Sequence, residues 1–216
     1  MGRHERSECG VKLNRVKIKN IPNKSHFSTI LSAWIELIEK SSGLSGDSAA
    51  IAFREVTNSS LFSAAAIKSG FFSLVECKTK KRRGDKDQNP YTGRTDLDLW
   101  INKTHYKIEA KLVRVPLNKP SFDRIKQFMI KSSADGKASL NEQAKRIDLV
   151  FVVPILTEKN KTNNTIENKR KLISDIDDMI DADFCAYSLN SLCEYEAQGR
   201  KKNATGIVVL GKFVSA

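Results

Sequence analysis

The spacing of apolar residues changes period repeatedly along this chain, and each change marks an element. Ile30, Leu31, Trp34, Ile35, Leu37 and Ile38 recur at helical spacing and predict an amphipathic helix over Ser28–Lys40, followed by the loop SSGLSG. Asp47 reads as an N-cap for SAAIAFREV. Asn58, Ser59 and Ser60 either kink that helix or cap a second one, LFSAAAIK, which Gly70 stops. FFSLVECKT is rich in β-formers and predicts a strand, and Asn89 to Gly93 carries turn chemistry.

Period-two alternation then predicts a hairpin with strands Thr95–Ile101 and Tyr106–Val113, which Pro116 and Pro120 keep from running on. Helices are expected over Ser121–Lys131 and Ser139–Arg146. LVFVVPIL, residues Leu149–Leu156, has no alternation, which suits a central strand covered on both faces, with Pro154 marking the end of its ladder. Beyond a polar loop at Thr157–Asn168, Leu172, Ile173, Ile176, Met179 and Ile180 form an amphipathic helix, and short strands follow at Phe184–Ser188 and Thr205–Leu210. There is no internal repeat. The order implies an α/β fold, a mixed central β-sheet flanked by helices, and 216 residues suit one domain with a real core.

The hairpin is unusual for the charges it carries. Alternation puts Leu97, Leu99, Ile101, Ile108, Ala110 and Leu112 on a core face, and Asp96, Asp98, Trp100, Lys107, Glu109 and Lys111 on the other. A turn at Lys103 and Thr104 pairs Asp98 with Glu109 and Asp96 with Lys111, whereas a turn at Asn102 and Lys103 pairs Asp96 with Glu109. Either register opposes two carboxylates, which costs stability unless something compensates. Lys107 and Lys111 can do so through cross-strand ion pairs. A Mg²⁺ ion can do so by coordination, since it takes one or two carboxylates together with waters and phosphate oxygens.

A net charge of +12 makes nucleic acid the leading partner. The excess is clustered: Lys78, Lys80, Lys81, Arg82 and Arg83 precede the hairpin and Arg94 opens it, extending a strand into a loop instead of lining the amphipathic helix that a membrane surface needs. The charged N-terminal segment lacks the apolar stretch of a signal peptide, and no apolar run approaches a membrane span. The four cysteines Cys9, Cys77, Cys185 and Cys193 form no CxxC pair, so a reduced, cytoplasmic chain is expected. His4, His26 and His105 accompany no nucleophile motif, and no GxxxxGK[ST] or GxGxxG fingerprint occurs.

Gly93-Arg94-Thr95-Asp96, an alternating strand, a short turn and then Glu109-Ala110-Lys111 resemble the core of the PD-(D/E)xK nuclease superfamily, the restriction-endonuclease-like fold. The resemblance covers roughly residues 47–156, where the order helix, three strands, helix, strand agrees with it. The residue before Asp96 is Thr95 and not proline, so Asp96 and Asp98 both stand as candidates. The resemblance implies a Mg²⁺-dependent DNA endonuclease of restriction or mobile-element type, with Mn²⁺ able to substitute. It makes Asp96 or Asp98, Glu109 and the Ala110 carbonyl the metal ligands, and sets Lys111 beside the attacking water. It also implies a further carboxylate from the preceding helix, best matched by Glu55, with Glu36 and Glu39 weaker matches.

The basic run Lys78–Arg83 is expected to track the phosphate backbone. Glu76-Cys77-Lys78 is a second Glu-x-Lys without an Asp-bearing hairpin before it. It reads as the first core strand, with Glu76 paired to nearby basic residues. The alternative function is a nucleic-acid-binding protein of similar fold that does not cut. Cutting both strands of a duplex favours a homodimer, for which the Leu172–Ile180 helix or the Trp34 helix offers an interface.

Overall fold

A computed structural model describes residues 13–42, 54–81, 89, 91–137, 143–156, 165–189, 193–197 and 200–214. The expected Asp47 cap, the residues Arg82 and Arg83, and residues 157–164 of the expected polar loop lie outside the described residues. The elements are β1 (Asn14–Ile18), α1 (Lys24–Ser42), α2 (Glu55–Lys68), β2 (Phe72–Lys81), β3 (Tyr91–Ile101), β4 (Thr104–Pro116), α3 (Phe122–Lys137), β5 (Lys145–Leu156), α4 (Thr165–Met179), β6 (Phe184–Ser188), β7 (Cys193–Ala197), β8 (Arg200–Ala204) and β9 (Ile207–Val214).

They build a mixed α/β fold, an open nine-stranded sheet flanked by helices, with strand order β1-β6-β9-β5-β4-β3-β2 and with β8 joining β5 and carrying β7. β4 and β5 run parallel, and the other pairs are antiparallel. The apolar run of β5 is central, as its lack of alternation requires: Phe151 and Val153 face α1 and α2, while Val150 and Val152 face α3 and α4. Among the described residues no helix is long and apolar enough to cross a membrane.

Several expectations are corrected. α2 runs without interruption through Asn58, Ser59 and Ser60, because the Asn58 amide and Ser60 hydroxyl bond back to the Arg54 and Val56 carbonyls four residues earlier instead of competing for a cap. Tyr91–Gly93 are strand and not turn, since β2 pairs with them as far as Lys81↔Tyr91. Residues 143–146 are not helical, and Lys145 and Arg146 already pair with Tyr106 and Lys107. Thr165–Asn168 begin α4 instead of belonging to the loop.

Pro154 lies inside β5 and still stands opposite Val115. It marks a change of neighbour, because β9 pairs no further than Val152 and β8 takes over at Ile155. β1 was not anticipated, and its Val16 and Ile18 pack at the margin of the core beside β6.

Candidate active site

The hairpin turn is Asn102-Lys103, with Asn102 at φ 55°, and the register runs from Ile101↔Thr104 through Trp100↔His105 and Asp98↔Lys107 to Leu97↔Ile108. This is the register in which Asp96 comes next across from Glu109. There the ladder stops. The Asp96 carboxylate accepts the Ala110 N–H at 2.7 Å, and one step further the Glu55 carboxylate, at the start of α2, accepts the Leu112 N–H at 3.1 Å. β3 and β4 thus fork, and two carboxylates take the strand donors that the fork releases. A strand residue turns its N–H and C=O to the same neighbour, so the Ala110 carbonyl faces the fork as well.

Glu109 is 4% exposed, on the face of β4 that continues into Val113 and Val115. Its carboxylate pairs with the Lys81 ammonium at 2.8 Å, and the Ser132 hydroxyl of α3 donates to its main-chain carbonyl. Burial pushes the Glu109 carboxyl up to about 7; Lys81 opposes the shift, Asp96 adds to it and Lys111 also opposes. Glu55 is likewise raised, first by burial and further by Asp96, against the pull of Lys111 and the Leu112 N–H. Lys111 lies 3.7 Å from Glu55 and 2.9 Å from Asp135 of α3. Burial works against its charge, but Asp135, Glu55 and Asp96 outweigh that and hold the ammonium above its ordinary value. Lys111 is therefore a fixed cation and not a base.

Around the fork, Asp96 thus raises the Glu55 and Glu109 carboxyls and Lys111 opposes both. Asp98 is engaged elsewhere. Buried to 6% exposure, it faces Lys107 at 3.6 Å and His105 at 3.4 Å, and it hydrogen-bonds with Cys77, whose thiol burial and Asp98 together hold up at about 11. Lys107 also donates to Thr79 and Thr95, and the His105 ring stacks on Trp100 at 4.3 Å. Glu36 pairs with Lys40 and Lys68, and Glu39 accepts from Asn14, so neither joins the fork.

The basic residues divide. Lys78 and Lys80 are exposed on the edge strand β2. Arg94 is spent on an exposed ion pair with Glu76 at 2.6 Å, the partnership expected of Glu76. Lys81, expected among the residues tracking phosphate, is turned inward instead. The cause is a break in β2 at Glu76, φ 53°, where the ladder with β3 skips Glu76 and Asp96 between Val75↔Leu97 and Cys77↔Thr95. Beyond it Cys77, Thr79 and Lys81 point to the face carrying Asp98, Lys107 and Glu109. Sequence alternation gave no sign of this change of face, nor of Asp135, whose only signal was a position late in a longer α3.

The fork offers oxygens alone: the carboxylates of Glu55, Asp96 and Glu109 and the Ala110 carbonyl. That donor set fits a hard divalent cation by its chemistry. In this form, however, Lys81 and the strand donors share those oxygens, and among the described residues no group of three or more His, Cys, Asp or Glu side chains is arranged to hold a metal ion. No family model, curated protein or solved structure matches this chain.

Proposed function

We propose that the chain is a divalent-cation-dependent nuclease that hydrolyses DNA phosphodiester bonds, with a core of the PD-(D/E)xK, restriction-endonuclease-like kind. The observation that carries this reading is the fork, where the Asp96 and Glu55 carboxylates cap the Ala110 and Leu112 N–H groups beside Lys111 and the buried Glu109. The order α2, β2, β3, β4, α3, β5, with β4 and β5 parallel, supports it.

Asp96, Glu109 and the Ala110 carbonyl are the residues to hold Mg²⁺ or Mn²⁺, with Glu55 as a further carboxylate. When bound, such a cation supplies Lewis acidity toward a phosphate oxygen and makes a neighbouring water easier to deprotonate. Lys111, kept protonated by Asp135 and Glu55, donates to the attacking water and favours its hydroxide form by charge. Lys78 and Lys80 add positive potential along the adjoining sheet edge, which draws the phosphate backbone in a salt-dependent way.

A second reading, a nucleic-acid-binding protein that does not cut, is favoured by one observation: Lys81 already neutralises Glu109. Incubation with supercoiled plasmid and Mg²⁺ separates the two. Nicking by the wild type that Lys111→Ala and Glu109→Ala each reduce at least about 100-fold is the expected result. Cleavage surviving both substitutions refutes the site. Salt-sensitive DNA binding without any cleavage selects the second reading.

A further inference from the structure

Lys81 is the cation of the site for which the proposed chemistry has no use. Its side chain is 11% exposed and that of Glu109 5%, so the 2.8 Å pair is shielded from solvent. Reaching Glu109 needs two local features. The break at Glu76 turns Lys81 to the inner face, and Gly93 leaves room for its stem: a Cβ on Gly93 would come within 2.8 Å of the Lys81 Cδ and 3.0 Å of its Cγ. A surface lysine reading phosphate needs neither.

We propose that Lys81 is the built-in counter-cation of this site, a positioning residue that occupies Glu109 until a divalent cation replaces it and whose released ammonium is taken up by the phosphodiester. The inference rests on the nuclease reading above. Two cations cannot share one shielded carboxylate without repulsion, so loading Glu109 displaces Lys81. Among the described residues the carboxylates around the fork are engaged, Asp96 with Ala110, and Glu55 and Asp135 with Lys111, so an ammonium leaving that pair needs a new anion. Incoming DNA brings such an anion. Cation and DNA binding then strengthen each other, and by linkage the coupling is equal in both directions. The device keeps the site charge-compensated when empty and favours cation loading where substrate is present.

Calorimetric titration of Ca²⁺ into the full chain tests this, with and without a saturating short duplex, at about pH 8.5 so that Glu109 is ionised in every sample. The variants are Lys81→Met, which removes the ammonium, and Gly93→Ala, which crowds the Lys81 stem off Glu109 while keeping the charge. Circular dichroism confirms that each is folded. In the absence of DNA, Lys81→Met is expected to bind Ca²⁺ about tenfold tighter than wild type and Gly93→Ala by a smaller factor, while the tightening conferred by the duplex shrinks in both. DNA affinity should fall in Lys81→Met, opposite in sign to its cation affinity. A purely structural lysine predicts unchanged or weaker Ca²⁺ binding in both variants. That result, together with a Glu109→Gln variant that binds Ca²⁺ poorly, overturns the inference and leaves the cation site standing. Wild type and Glu109→Gln that are alike in failing to bind Ca²⁺ refute the site and the inference together.

Discussion

On the side of the sheet covered by α3 and α4, β5, β6 and β9 present Val150, Val152, Cys185, Val208 and Leu210, whereas β3 and β4 present Asp98, Lys107 and Glu109 at comparable burial. The first group gains from leaving water, about 25 cal/mol for each Å² of apolar surface. The second loses hydration and recovers it only through partners: Lys107 for Asp98, Thr79 and Thr95 for Lys107, Lys81 for Glu109. The Asp98 Oδ1 and His105 Nε2 atoms are buried without any hydrogen bond, so the recovery is incomplete. The two halves of one face therefore divide: burial stabilises the apolar half and costs the charged half, which needs its partners to bear it.

Removing one member of the charged row should break it most severely. Asp98→Ala leaves Lys107 with two hydroxyls and no anion, and a loss of about 3–5 kcal/mol is expected in urea unfolding. The double substitution Asp98→Leu with Lys107→Met should recover most of that. A single variant as stable as wild type would show the row to be hydrated after all. In the apolar half, Leu210→Ala opens a cavity and should cost about 2–5 kcal/mol. It should leave the cation binding proposed for the fork unchanged in a Ca²⁺ titration, and a coupled loss of both would contradict the division.

The third test uses pH. Glu109 is raised from 4.5 to about 7, so the native chain holds a proton that the unfolded chain has released. Its contribution to stability is complete below 4.5 and is lost as pH rises to about 7, an effect on the order of 3 kcal/mol. Glu109→Gln should flatten that stretch of the unfolding free energy measured between these two pH values, and an unaltered slope would place the titration elsewhere. The smallest effect is expected at Arg94→Ala. Its exposed pair with Glu76 is worth no more than about 1 kcal/mol, and the salt dependence of DNA binding should change by less than about one phosphate contact.

Legibility followed the range of the interactions. The α1 helix, the hairpin, the central β5 and β6 were readable because alternation and helical spacing are local and strong. β1 was hidden because only five residues form it, too few for the alternation of Val16 and Ile18 with Arg15 and Lys17 to stand out. Tyr91–Gly93 carry turn residues, yet ladder pairing with Thr79–Lys81 overrides that preference. Lys145 and Arg146 could extend a helix, and the parallel partnership with β4 makes them strand instead.

The candidate site divides along the same line. Alternation alone placed Asp96, Glu109 and Lys111 on one hairpin, because they lie within a few residues of a turn. The choice between two turn positions, and with it the fork that seats Asp96 on the Ala110 N–H, required the folded register. So did the arrival of Glu55, which is 57 residues from the Leu112 N–H it caps, and the inward turn of Lys81, which is 28 residues from Glu109. Side-chain period is a property of the backbone of one segment and can be read along the chain. Which distant charge comes to face a buried carboxylate depends on how strands kink and helices pack, and only the assembled sheet decides that.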